Sequence, residues 1–77
     1  MIYIDVRTKA EYDSGHKDGA LNHDIMDMMS GVFPDLPKDS EIILYCESGN
    51  RSMMAQGMMQ NAGFTNVTNG GSYTDVI

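Results

Sequence analysis

Within Glu41–Cys46 (EIILYC) five consecutive residues are apolar, and the run stops at Cys46, the only cysteine of the chain. An uninterrupted apolar run of this length predicts a central strand buried on both faces, as in parallel sheets covered by helices. It passes at once into ESGNRS, a small polar stretch containing one glycine. From about Arg51 to Ala62 the pattern becomes helical, with Gly63 placed to end that helix. The thiol therefore stands at a strand end, where a loop opens a helix.

The remaining segments alternate in the same way. Ile2–Val6 (IYIDV) reads as a short buried strand interrupted by Asp5. Thr8 with Glu11 three positions on is a capping-box pattern, and Gly15 sits where that helix would end. Ala20–Asn22 suits a short strand, and Asp24–Met29 suits one or two helical turns stopped by Ser30-Gly31. Pro34 and Pro37 mark a loop. Asn66–Thr68 predicts a last short strand, after which NGGS leads into a terminal turn or helix. Strand–helix alternation on this scale predicts one α/β domain over residues 1–77, a mostly parallel sheet of about four strands with helices on both faces. In open sheets of this kind ligands bind beyond the carboxyl ends of strands, which is where Cys46 stands.

A chain of 77 residues buries only about 60% of the surface its unfolded form exposes. Its net charge of −6 argues against nucleic acid and anionic membrane as partners, because both reward basic surfaces. No segment has the apolar length needed to cross a bilayer, and no export leader precedes the first strand-like run. A cytoplasmic protein fits this reading, as does a periplasmic one whose leader has been removed. One cysteine forms no internal disulfide, and with two histidines it makes a poor zinc site. No metal and no cofactor is expected. The thiol is then inert core, a nucleophile, or an intermolecular crosslinker.

The loop chemistry favours the nucleophile. Backbone N–H groups between a strand end and a helix start can turn inward as an anion site. Gly49 supplies freedom to adopt positive φ, Ser48, Asn50 and Ser52 add hydrogen-bonding side chains, and Arg51 adds a permanent charge. Such surroundings lower a thiol pKa from about 8.5 to roughly 3.5–7.5, and the thiolate is the reactive form. Glu47 opposes the trend, since a carboxylate beside the nucleophile disfavours a second negative charge. It either weakens the binding of anionic donors or points into solvent.

These residues carry a resemblance. CESGNRS, together with IDVRTKAEYDSGHKDGALN upstream and AGFTNVTNGG downstream, resembles a single-domain rhodanese, with the compact kind found in bacterial phage-shock operons as its nearest counterpart. The elements fall in the family's order across nearly the whole chain. Lys17 and Asp18 depart from it, standing where members have an apolar residue and proline, and the N-terminal strand and helix of longer members are missing. The resemblance implies a three-layer rhodanese-like fold and a thiosulfate sulfurtransferase, a monomer, that carries sulfur on Cys46 as a persulfide. The donor would be thiosulfate or another persulfide, and the acceptor cyanide or a thiol, such as glutathione or a thioredoxin-like protein. Glu47, Ser48, Gly49, Asn50, Arg51 and Ser52 would bind substrate, with Arg51 meeting the donor's anionic end or bracing the loop. Related phosphatases and arsenate reductases have five residues between cysteine and arginine; here ESGN supplies four, which favours sulfur over a tetrahedral oxyanion. The alternatives are that phosphatase-like chemistry, a non-catalytic binding module, and a redox module that would need a partner's thiol.

Outside the loop, His16 and His23 read as structural or surface residues. Asp5 and Arg7 read as a structural pair near the site, the arginine holding the carboxylate. The methionines invite copper, because thioethers are soft ligands. Yet Met54 and Met58, and Ala55 and Met59, stand four apart, the spacing that core packing requires.

Overall fold

The computed structural model describes residues 1–77 and orders them as β1 (Ile2–Asp5), α1 (Lys9–Asp13), β2 (Leu21–Asn22), α2 (Ile25–Met29), β3 (Ile42–Cys46), α3 (Asn50–Asn61), β4 (Val67–Ser72) and α4 (Tyr73–Val76). All four strands run parallel, in the order β2-β1-β3-β4. The chain moves outward from β1 to β2, then returns past β1 to lay down β3 and β4. This reversal puts a topological switch point between β1 and β3, with a crevice at their carboxyl ends. Asp5 closes β1 with Arg7 just beyond it, and Cys46 closes β3.

The pleat divides the sheet into two unlike faces. Ile4, Val6, Ile42, Leu44 and Cys46 join Ile25 and Met28 of α2, Ala55 and Met59 of α3, Phe64 and Val67 in one apolar core. Tyr3, Asp5, Ile43 and Tyr45 occupy the alternate positions. There α4 provides the cover: Tyr73 stacks on Tyr45 with ring centroids 5.9 Å apart. The two faces are covered as the strand–helix alternation predicts, one thickly and one by a single turn of helix.

Local signals explain the helix starts. The Thr8–Glu11 capping box forms in full, and Asp24 caps α2 by accepting the Met26 N–H. The last strand, by contrast, does not end at Thr68: β4 runs on through NGGS to Ser72, and the terminal helix α4 follows directly. Asn69 pairs with Leu44 and Gly71 with Tyr45, so Gly70 is the extra residue of a bulge. A Cβ on Gly70 would lie 2.7 Å from Ile43 Cγ2 and 3.0 Å from the Leu44 carbonyl oxygen. Two glycines read as a turn by propensity, but here they let β4 approach β3 closely.

A second difference concerns α3. Ser52, Ala55 and Met59 face the core, and Met58 packs at its margin, whereas Met54 is 54% exposed. Spacing of four fixes that a row exists but not which row faces inward, and the Ala55–Met59 row is the buried one. Met59→Ala is therefore expected to cost about 3 kcal/mol, from lost burial and the cavity left behind. Met54→Ala should stay within about 0.5 kcal/mol of the parent. Urea unfolding of the two variants checks both values.

Candidate active site

The loop between β3 and α3 wraps around the sulfur of Cys46. The Gly49 N–H donates to Sγ at 3.0 Å and the Ser52 N–H at 3.4 Å, while Ser52 Oγ lies 3.6 Å away. Gly49 is the N-cap of α3 at φ 91°, a left-handed conformation that suits glycine. Its would-be Cβ would also meet Gly71 Cα at 3.4 Å, so loop and β4 touch through bare backbone. Burial pushes the Cys46 thiol up, but the Ser52 hydroxyl and the amides of Ser52, Ser48 and Gly49 outweigh it. The result lies below the ordinary thiol value.

Asn69 of β4 holds the loop in this shape. Its Oδ1 accepts the Ser52 hydroxyl at 2.7 Å and the Gly71 N–H at 2.9 Å, and its Nδ2 donates to the Gly49 carbonyl at 3.3 Å. The side chain thus ties β4 to both ends of the loop's turn into α3.

Two arginines flank the loop, and both are engaged. Arg51 forks onto Glu11, with Nη1–Oε1 at 2.7 Å and Nη2–Oε2 at 2.9 Å. This contact is the main cause that brings Glu11 down from its ordinary 4.5 to about 2, against the opposing effect of burial and with help from Thr8. Arg7 is buried and grips Asp5: Nε donates to both carboxylate oxygens at 2.9 Å and Nη2 to Oδ2 at 2.7 Å. Its remaining donors reach the Gly15 carbonyl at 2.7 Å and Glu47 Oε2 at 3.3 Å. The guanidinium carbon lies over the ring of Tyr73 at 4.8 Å and of Tyr45 at 5.8 Å.

Comparison with known proteins decides the family. Residues 1–74 match the Rhodanese-like domain family. The chain is a rhodanese-like domain. It is 29% identical over 75 residues to the thiosulfate sulfurtransferase PspE of Escherichia coli K12, covering 96% of this chain and 72% of that protein. Thiosulfate sulfurtransferase 16, chloroplastic, of Arabidopsis thaliana is 36% identical over 84% of this chain, which spans only 63% of its length. Among solved structures, an E. coli rhodanese with anions superposes with a TM-score of 0.82 at 29% identity, covering 97% of this chain and 89% of that one. The human single-domain sulfurtransferase TSTD1 gives 0.85 at 23% identity, covering 96% and 78%, which shows the shared fold.

The rhodanese-like loop sorts the residues that the sequence singles out. The Gly49 and Ser52 amides converge on Sγ, and the Ser48 amide helps to lower the thiol pKa. Glu47 does not: its side chain is 65% exposed and turned to Arg7. Asn50 is exposed at the start of α3, and Arg51 is held by Glu11. Cys46 stands at the strand end as the sequence predicts, but its sulfur is not open to solvent, because the residue is 0% exposed. Its side chain projects from the core-facing side of β3, so Sγ is roofed by the loop and floored by apolar packing. His16 stacks on Tyr12 and bonds its carbonyl through Nδ1 at 2.8 Å, and His23 Nε2 bonds the Val32 carbonyl at 2.8 Å. No group of three or more His, Cys, Asp or Glu side chains assembles to hold a metal ion.

Sequence reasoning missed Asn69, whose Asn-Gly-Gly setting reads as a turn, and saw Glu11 only as a helix cap. The Glu11 carboxylate has a depressed pKa in the folded state, so its stabilisation is present above 4.5 and is lost as pH falls toward about 2. Solvent screening at a third-exposed pair holds this to about 1 kcal/mol. Glu11→Gln, which can still cap α1, should therefore be about 1 kcal/mol less stable at neutral pH and match the parent near pH 2. Chemical denaturation across that range checks it.

Proposed function

We propose that this rhodanese-like domain is a sulfurtransferase that carries sulfane sulfur on Cys46. The reading rests above all on the convergence of the Gly49 and Ser52 amides on one sulfur whose thiol is held below its ordinary pKa. In the first half-reaction the thiolate attacks the outer sulfur of a donor such as thiosulfate. A new sulfur–sulfur bond forms, the donor's own breaks, and sulfite departs with the electron pair. In the second, cyanide or a thiol attacks the outer sulfur and the Cys46 thiolate is released. The amides of Gly49 and Ser52 hold the thiolate from which the persulfide forms and to which the second step returns.

A lowered thiol pKa favours the ionised nucleophile, which needs no general base, and both histidines are bonded to backbone carbonyls instead. Arg51, fixed by Glu11, acts by its charge from a set position and braces the loop from outside. Glu47 and Asn50 contribute their backbone to the loop and keep their side chains out of the cradle. Asp5 and Arg7 support the site from the end of β1. Because Sγ is fully covered, the donor enters only when side chains around the loop part.

Incubation with thiosulfate should add one sulfur atom to the intact mass, and Cys46→Ser should add none. Sulfur uptake by Cys46→Ser, or no uptake by the parent with thiosulfate or any persulfide donor, refutes the reading. Ser52→Ala removes the hydroxyl 3.6 Å from Sγ and one of the loop's links to Asn69. It should slow uptake at neutral pH by about tenfold and move the acid limb of the pH–rate profile upward, because the thiolate then forms at higher pH. Stopped-flow rates across the pH range check the direction.

A further inference from the structure

The charge arrangement around the loop bears on which donors it accepts. Both guanidiniums that flank the loop are already matched: Arg7 by Asp5 with Glu47, and Arg51 by Glu11. With the sulfur ionised, three carboxylates and a thiolate stand against two guanidiniums, and the chain as a whole carries −6. Arg51 is the one exposed enough to meet a ligand, and Glu11 already occupies both of its Nη groups in a fork. A doubly charged donor must displace that carboxylate or accept a screened cation, and it approaches a site of net negative charge. A donor with one charge fewer meets proportionately less opposition.

We propose that Glu11 is a specificity-determining residue that screens Arg51, so that the site prefers sulfane donors of single or no charge over dianionic thiosulfate. The inference rests on the sulfurtransferase reading and narrows its donor class. Glu11 suits the role because its place does not depend on Arg51 alone: its Oε1 also accepts the Thr8 N–H at 3.2 Å as part of the α1 cap. The carboxylate is therefore held beside the loop when a donor arrives, rather than swinging away with the arginine. Glu47, tied to Arg7 on the other flank, adds to the same field from a more exposed position.

An aliphatic thiosulfonate, a monoanion, tests this against thiosulfate. Each gives its outer sulfur to the Cys46 thiolate, with sulfinate leaving from one and sulfite from the other, so the chemistry matches and the charge differs by one. Glu11→Gln is expected to raise kcat/KM for thiosulfate about tenfold and for the thiosulfonate about threefold, so that the preference for the monoanion shrinks. Glu47→Gln should shift the preference in the same direction by less. For the parent protein, added salt should raise the thiosulfate rate, because screening relieves repulsion. The proposal is overturned if Glu11→Gln changes both donors by one factor, which is what a mere brace for Arg51 would do. A parent thiosulfate rate that falls with salt overturns it as well, even if Glu11→Gln does not fold. Failure of both donors to place sulfur on Cys46 overturns the sulfurtransferase reading itself, a result visible by intact mass and distinct from an unmoved donor ratio.

Discussion

A thiolate cannot be taken out of water unless donors replace its hydration, because burying an unpaired charge costs several kcal/mol even after relaxation. Cys46 is wholly buried and ends a core strand, so the amides of Ser48, Gly49 and Ser52 have to supply that replacement. Most of the surrounding architecture follows from this demand. Gly49 takes a left-handed conformation so that its N–H turns toward Sγ, α3 starts where its first free N–H groups face the sulfur, and Asn69 pins the turn from the neighbouring strand. Even the bulge at Gly70 belongs to this chain of causes, since it sets the register that brings Asn69 and Gly71 against the loop.

The second face of the sheet works on a different principle. It has little helix to cover it, and it buries the Asp5–Arg7 pair instead. Such a pair is tolerable only when every remaining donor finds an acceptor, and here the guanidinium spans Asp5, the Gly15 carbonyl and Glu47 while two tyrosine rings cover it. No buried side-chain nitrogen or oxygen anywhere in the chain lacks a partner. Through Glu47 the end of β1 is joined to the loop after β3, which spans the switch point where the topology opens its crevice.

How much of this the sequence discloses depends on whether the cause is local. The β3–loop–α3 unit is legible because an apolar run, a glycine and a helical period lie side by side in the chain. Asn69 is not, because its role arises from a bulge that places it against a loop 20 residues earlier. The same holds for Glu11: its cap lies within three residues, but its fork onto Arg51 joins positions 40 apart. Met54 shows another limit, since a row of residues four apart gives the period of a helix and not its phase. The burial of Cys46 follows from a strand covered on both faces, Tyr45 being equally buried on the other side, and the polar loop residues alone do not reveal it.

The two arginines divide the support of the cradle unequally, and the difference lies in their exposure. Removing either partner from the buried Asp5–Arg7 pair leaves an uncompensated charge, a loss of about 3–5 kcal/mol in such settings. The Arg51–Glu11 fork is a third exposed, and exposed pairs contribute about 1 kcal/mol or less. The loop is therefore anchored firmly from the sheet side and held loosely from the solvent side. The weaker outer contact costs less to break than the buried pair, which keeps the end of β1 joined to the loop through Glu47.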